Sequence, residues 1–222
     1  MKEIFLGEVY EVLPLNNGII FSYCKDVIDE NVVVAYKMIS FENGNITDIA
    51  KNIYLLTKFG NNYKAIVSVC DNYITVKSIL LAGGKVFLLS TDGTAKLVGT
   101  DGEVIWRGDL IYRTHKPSDL ILYNNAFWVS YPECNSVLRY NISTMREELR
   151  IGGIKSPFDK PKDLFLEGDV VTISNYGSKK LIEMDLKTYS VKDRESFEEP
   201  IYQYVKVGNM RFVVLESGLY LI

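Results

Sequence analysis

The chain has 222 residues, 47 % of them apolar and 24 % charged, a balance that excludes disorder and allows one large core spanning residues 1–222. A net charge of −3 and a pI near 5.4 leave no basic face broad enough to neutralise a row of phosphates, so nucleic acid is not an expected partner. No run approaches the roughly 18 apolar residues of a membrane span. The first residues, "MKEIFLGEVYEV", are interrupted by Glu3, Gly7 and Glu8 where a secretion signal needs an unbroken apolar stretch; the expected location is cytoplasmic, with no membrane contact.

In chain order, "EIFLGEV" reads as a single strand. Residues 9–50 then hold "VYEVLPL", "GIIFSYC", "NVVVAYKMISFENG" and "ITDIA", four apolar runs separated by turn residues. The next segment, "KNIYLLTKFGNNYKAIVSVCDN" at 51–72, reads as a strand-like hairpin too short for another set of four. From residue 79 the pattern is "ILLA", "KVFLLS", "AKLVGT" and "EVIWRG", punctuated by Gly-Gly, Asp-Gly and Asp-Gly, residues suited to the positive φ of hairpin turns. Two further stretches begin alike, "KPSDLILYNNAFWVSYPECNSVLRYN" at Lys116 and "KPKDLFLEGDVVTISNYGSKKLIEMD" at Lys160.

These last two align without a gap at a shift of 44 residues: Pro117 with Pro161, Asp119 with Asp163, Leu120 with Leu164, Ser130 with Ser174, Thr144 with Thr188. A third copy lies 40 residues upstream, with Leu80, Phe87, Ser90 and Leu97 on Leu120, Phe127, Ser130 and Val137. A period of about 40 to 50 residues holding four short strands is the signature of a β-propeller blade. Apolar residues do not recur with a helical period and β-branched and aromatic residues fill the runs, so almost no helix is expected. The C-terminal "YQYVKVGNMRFVVLESGLYLI" holds three strands and stops mid-blade; its outer strand is expected at residues 4–9, closing the ring by pairing the two chain ends. The expected fold is an all-β propeller of five blades with an extra hairpin, six blades being the alternative.

The repeat resembles the superfamily that includes NHL-repeat, YVTN-type and gluconolactonase-like propellers, whose blades also open on Pro, a polar spacer and an apolar strand, here "KPSDLIL" and "KPKDLFL". The resemblance covers residues 73–196 and implies fold more than activity. Gluconolactonase-like enzymes hold a divalent metal on a Glu, Asn and Asp set that has no matching positions here, and RNA-binding NHL proteins carry a basic face that this acidic chain lacks.

Motifs of phosphate loops, nucleophile elbows, zinc proteases and EF-hands are absent. His115 is the only histidine and sits in the polar "YRTHKPSDL", read as a solvated loop. Cys24, Cys70 and Cys134 are widely spaced and read as reduced thiols. Phe127, Trp128 and Trp106 read as packing between blades. Asp119 and Asp163 fall at equivalent positions of adjacent blades. With Tyr131, Asn135, Asn175 and Tyr176 from neighbouring loops they form the expected polar mouth, able to hold a small polar ligand or a divalent cation. The competing reading gives each Asp a hydrogen bond to nearby backbone. Tyrosine is abundant, with 15 copies, a residue favoured at protein-binding surfaces. The functional expectation is a protein- or ligand-binding scaffold; the alternative is a metal-assisted lactonase or lyase acting at the channel mouth on a sugar-like substrate. No cofactor and no oligomeric state follow from the sequence.

Overall fold

The computed structural model describes residues 1–70 and 72–222. The first strand, β1 (Lys2–Leu6), stands apart from the sheet that follows it in sequence. Blade 1 is β2 (Val9–Leu15), β3 (Gly18–Ile28), β4 (Asn31–Ser40) and β5 (Ile46–Asp48). Two short helices follow, α1 (Lys51–Phe59) and α2 (Tyr63–Ser68). Blade 2 is β6 (Lys77–Leu80), β7 (Val86–Leu89), β8 (Thr94–Val98) and β9 (Val104–Asp109). Blade 3 is β10 (Asp119–Tyr123), β11 (Ala126–Tyr131), β12 (Ser136–Asn141) and β13 (Glu147–Gly152). Blade 4 is β14 (Pro161–Glu167), β15 (Val170–Asn175), β16 (Lys180–Asp185) and β17 (Val191–Ser196). Blade 5 is β18 (Ile201–Val207), β19 (Met210–Leu215), β20 (Gly218–Leu221) and, on its outside, β1.

Each sheet is an antiparallel meander in which alternate side chains face the neighbouring blade, so apolar residues on both faces of the middle strands are buried. Phe87 of β7 lies 4.2 Å, centroid to centroid, from Phe127 of β11, and Trp128, Val171, Ile173 and Leu164 fill the space between blades 3 and 4. The inner strands β18, β2, β14, β10 and β6 line the central channel, and the architecture is a five-bladed β-propeller.

Closure follows the expected route with shifted bounds. β1 pairs antiparallel with β20, Leu6 opposite Gly218 and Lys2 opposite Leu221, while Val9 opens the next blade. Gly218 is required there: its φ is +156°, and a Cβ would lie 2.1 Å from the Phe5 carbonyl oxygen.

The extra segment is helical, which corrects the expected hairpin. Tyr54, Leu55, Lys58 and Phe59 form one buried face of α1, and with Ile66 of α2 they pack on Ile20 and Tyr36 of blade 1 and on Val86 and Leu88 of blade 2. The chain leaves α1 through Gly60, at φ +77°, whose N–H bonds the Leu56 carbonyl. The helices are thus a wedge between blades 1 and 2. No helix among the described residues is long and apolar enough to cross a membrane.

Candidate functional site

The channel is crossed by a belt of polar side chains from the inner strands: Glu11, Lys77, Asp119, Asp163 and Gln203, one from each blade. Three of them bind the next blade's backbone in the same way. Asp119 Oδ2 accepts the Leu164 N–H at 2.8 Å, Asp163 Oδ2 accepts the Tyr204 N–H at 3.2 Å, and Gln203 Oε1 accepts the Val12 N–H at 2.7 Å while its Nε2 donates to the Val12 carbonyl at 3.1 Å. Each acceptor therefore pins the residue after its own counterpart in the following blade. These are inter-blade staples, a longer-range version of the backbone role that a repeated Asp suggests.

Between blades 1 and 2 the wedge interrupts that pattern. Glu11 accepts hydrogen bonds from the Tyr54 hydroxyl and from Lys58 Nζ, the latter at 2.6 Å, and Lys58 is fully buried. Lys58 Nζ also donates to the Ile74 carbonyl, and Ser78 Oγ donates to the Lys58 carbonyl, so α1 is bolted to the inner strands on both sides. Burial lowers the Lys58 pKa against the opposing pull of Glu11. Burial, then the Glu11 charge, raises that of Tyr54.

Lys77 Nζ lies 3.6 Å from Asp119 Oδ1 and 3.5 Å from Asp163 Oδ1, in the space between the two carboxylates. Burial acts against its charge, but Asp119 and Asp163 outweigh it and hold the ammonium above the usual lysine range. Asp163 is raised well above the carboxylate range, first by burial, then by the Asp119 charge; Lys77 and the Tyr204 N–H act the other way. With Lys58, the belt holds three carboxyl groups and two ammonium groups. Among the described residues no three His, Cys, Asp or Glu side chains stand together as a metal site.

Above the belt opens a funnel of about 840 Å³, and below it a smaller cavity of about 340 Å³; Glu11, Lys77 and Gln203 border both. The pairing of three inner strands slips by one residue just above the belt, between Val9 and Glu11, Pro161 and Asp163, and Ile201 and Gln203. The bulged residues are Tyr10, Lys162 and Tyr202, and all three line the funnel. A bulge re-aims one side chain while leaving the flanking strand in place. Burial, then the charge of Lys77, lowers the Lys162 pKa, with Glu133 opposing. Burial and Tyr176 push the Tyr202 phenol up to about 12.

The six residues singled out from the sequence separate into two groups. Asp119 and Asp163 meet in the belt, and Tyr176 packs edge-on, at 5.2 Å, against Tyr202, which lines the funnel. Tyr131 is buried between blades 2 and 3, its hydroxyl bonded to the Leu110 carbonyl and to Tyr140. Asn135, at φ +49°, accepts the Lys160 N–H on Oδ1 and the Ser156 hydroxyl on its carbonyl. Asn175 is buried; its Oδ1 accepts the Asp159 N–H and its Nδ2 donates to Ser178. Those three organise loops and do not line the funnel. Sequence reasoning missed Glu11, Lys58, Lys77, Lys162 and Gln203. A lysine or Glu inside a short apolar strand was the available signal for Glu11, and Lys162 stands in the quoted "KPKDL" itself.

No protein-family model matches the chain, and no curated protein matches it by sequence. Solved structures do match. A protein of unknown function from Bacteroides caccae is 14 % identical with a TM-score of 0.54, covering 97 % of this chain and 77 % of that one. The WD40 β-propeller domain of Doa1 is 12 % identical with a TM-score of 0.56, covering 94 % of this chain and 60 % of that one. A streptogramin B lyase is 9 % identical with a TM-score of 0.51, covering 99 % of this chain and 70 % of that one. At such identities the likeness is one of architecture, and what these structures have in common with the chain is the β-propeller fold.

Proposed function

We propose that the chain is a binding module whose funnel takes a small polar molecule bearing an anionic group, a carboxylate or phosphate on a hydroxyl-rich body. The observation that carries this reading is Lys162. It projects from a bulge into the funnel with its side chain open to solvent, the charge of Lys77 bears on its ammonium, and no carboxylate among the described residues lies within ion-pair distance of it. An anionic group placed there pairs with Lys162 and offsets its repulsion from Lys77. Tyr10 and Tyr202 supply flat apolar walls with polar rims, and Thr75, Thr91 and Ser118 supply hydroxyl partners. Lys77 forms the floor with Glu11 and Gln203, held in place from below by Asp119 and Asp163; Tyr176 braces Tyr202.

A thermal-shift screen of sugar acids, sugar phosphates and hydroxy acids, followed by calorimetry, tests the reading. Lys162→Ala should weaken the best ligand at least tenfold with little change in the melting temperature of the unliganded protein. Should Lys162→Ala and Tyr202→Ala both retain full affinity, the ligand lies outside the funnel and the assignment fails.

A further inference from the structure

The β3–β4 hairpin is far longer than its counterparts. β3 has 11 residues and β4 has 10, whereas the corresponding connections of blades 3 and 4 turn within Pro132–Cys134 and about Gly177. Blade 1 stops supporting it part-way. β2 pairs with β3 only as far as Tyr23, with one further bond from the Cys24 N–H to the Glu8 carbonyl, and β5 pairs with β4 only over Lys37–Ile39, with one more from the Ile49 N–H to Tyr36. Beyond these points residues 25–35 are a two-stranded arm with no strand paired to either edge among the described residues. At about 3.3 Å per residue the arm extends roughly 16 Å past the blade.

An isolated two-stranded ribbon in water is marginally stable, and this one exposes Val27, Ile28 and Val32 by 58 %, 55 % and 50 %. Its turn residues, Asp29 and Glu30, both hold positive φ without glycine. The two edges differ in character. The β3 edge carries Lys25 and Asp26, charges of the kind that blunt an edge. The uncovered edge of β4 reads Asn31, Val32, Val33, Val34, Ala35, with no charge and no proline.

We infer that the arm is a self-association surface, on which the open β4 edge pairs antiparallel with the same edge of a second copy about a two-fold axis through Val33. The open stretch is five residues centred on Val33 and matches itself end for end: Val33 opposite Val33, Val32 opposite Val34, Asn31 opposite Ala35. No like charges meet in this register. Within each arm Val27 is opposite Val32 and Cys24 opposite Val34. In the joined four-stranded sheet, Val27 and Val32 of one copy therefore run on into Val34 and Cys24 of the other, giving two continuous apolar rows on one face. The only edges left open are those of β3, which carry the charges. A foreign strand of uncharged residues would satisfy the same hydrogen bonds, but a second copy also supplies the Val27, Val32, Val34 and Cys24 side chains that continue both apolar rows. The interface is small, so the dimer is reversible and concentration-dependent.

Light scattering after size exclusion should give a mass moving from 25.3 kDa towards twice that value between about 1 µM and several hundred µM. Val33→Lys should abolish the shift and leave the melting temperature within a few degrees, because Val33, unlike its neighbour Val34, packs against none of the core clusters. Val33→Cys should cross-link to itself under mild oxidation, and Asp26→Cys on the opposite edge should not. A wild-type chain monomeric throughout the range overturns the inference. So does a dimer that survives Val33→Lys, or a Val33→Cys chain that cross-links no faster than Asp26→Cys.

Discussion

Lys77 is the residue on which the belt depends. Removing its ammonium leaves Asp119 and Asp163 facing each other in a buried channel, and breaking a buried charge set of this kind costs on the order of 3 kcal/mol. Lys77→Met should therefore lower the urea midpoint strongly, and adding Asp163→Asn should restore at least half of the loss, because the two carboxyl groups then no longer oppose each other. If the double variant is no more stable than Lys77→Met, the repulsion argument is wrong. Asp163 also sets a pH dependence. Its pKa is raised on folding, so the stability it contributes is fully present below its unfolded pKa and is lost as pH rises through the folded value. Wild type should therefore gain stability relative to Asp163→Asn between pH 8 and pH 5, by at most about 1.4 kcal/mol per pH unit. Parallel slopes in urea unfolding at the two pH values would refute this.

Two elements hold the ring in shape, the helical wedge and the closing strand. Phe59 is 1 % exposed and fills the space between blades 1 and 2, so Phe59→Ala should cost about 3 to 5 kcal/mol. That loss should appear as a lowered midpoint with the far-UV spectrum of the folded state unchanged. At the other junction, any side chain at residue 218 drives into the Phe5 carbonyl. Gly218→Ala should cost about 2 kcal/mol and lower the melting temperature by about 5 °C. A melting temperature within 1 °C of wild type would mean that β1 moves freely to accommodate the methyl. The wedge was hidden in the sequence for a physical reason. "IYLL" is a continuous apolar run with no helical period, "GNN" imitates a hairpin turn, and the third buried position of α1 is Lys58, which reads as a solvent-facing residue until Glu11 is placed beside it.

The whole molecule stands or falls with closure. Leu219 is fully buried, and the β20 strand that holds it links β1 to β19. Deleting residues 219–222 removes that link, exposes the β19 edge and takes out Leu219 with the half-buried Leu221 and Ile222. At roughly 1.5 to 3 kcal/mol for each fully buried side chain, the loss is a large part of the 5 to 15 kcal/mol typical of a domain. The truncated chain should be insoluble or lack a cooperative melt. A melt within a few degrees of wild type would show that the ring does not need its ends joined.

By itself the sequence determined the blades, their turns and the pairing of the chain ends, because alternation along a strand and glycine at a turn are local signals repeated at fixed spacing. It also marked Asp119 and Asp163 as equivalent, through the gapless 44-residue shift. It did not show Lys77 as their partner: the Leu81–Lys85 connection of blade 2 is longer than the Asn124–Asn125 turn of blade 3, and the 40-residue alignment puts Ile79, not Lys77, on Asp119. Nor did it separate Tyr131, Asn135 and Asn175, spent on packing and loops, from Lys162, Tyr10 and Tyr202, turned into the funnel by single-residue bulges. Only the tertiary structure decided those matters, because which polar groups meet in the channel depends on how neighbouring blades are set against each other, which leaves no local signal, and a one-residue slip in pairing reverses the face to which a side chain points.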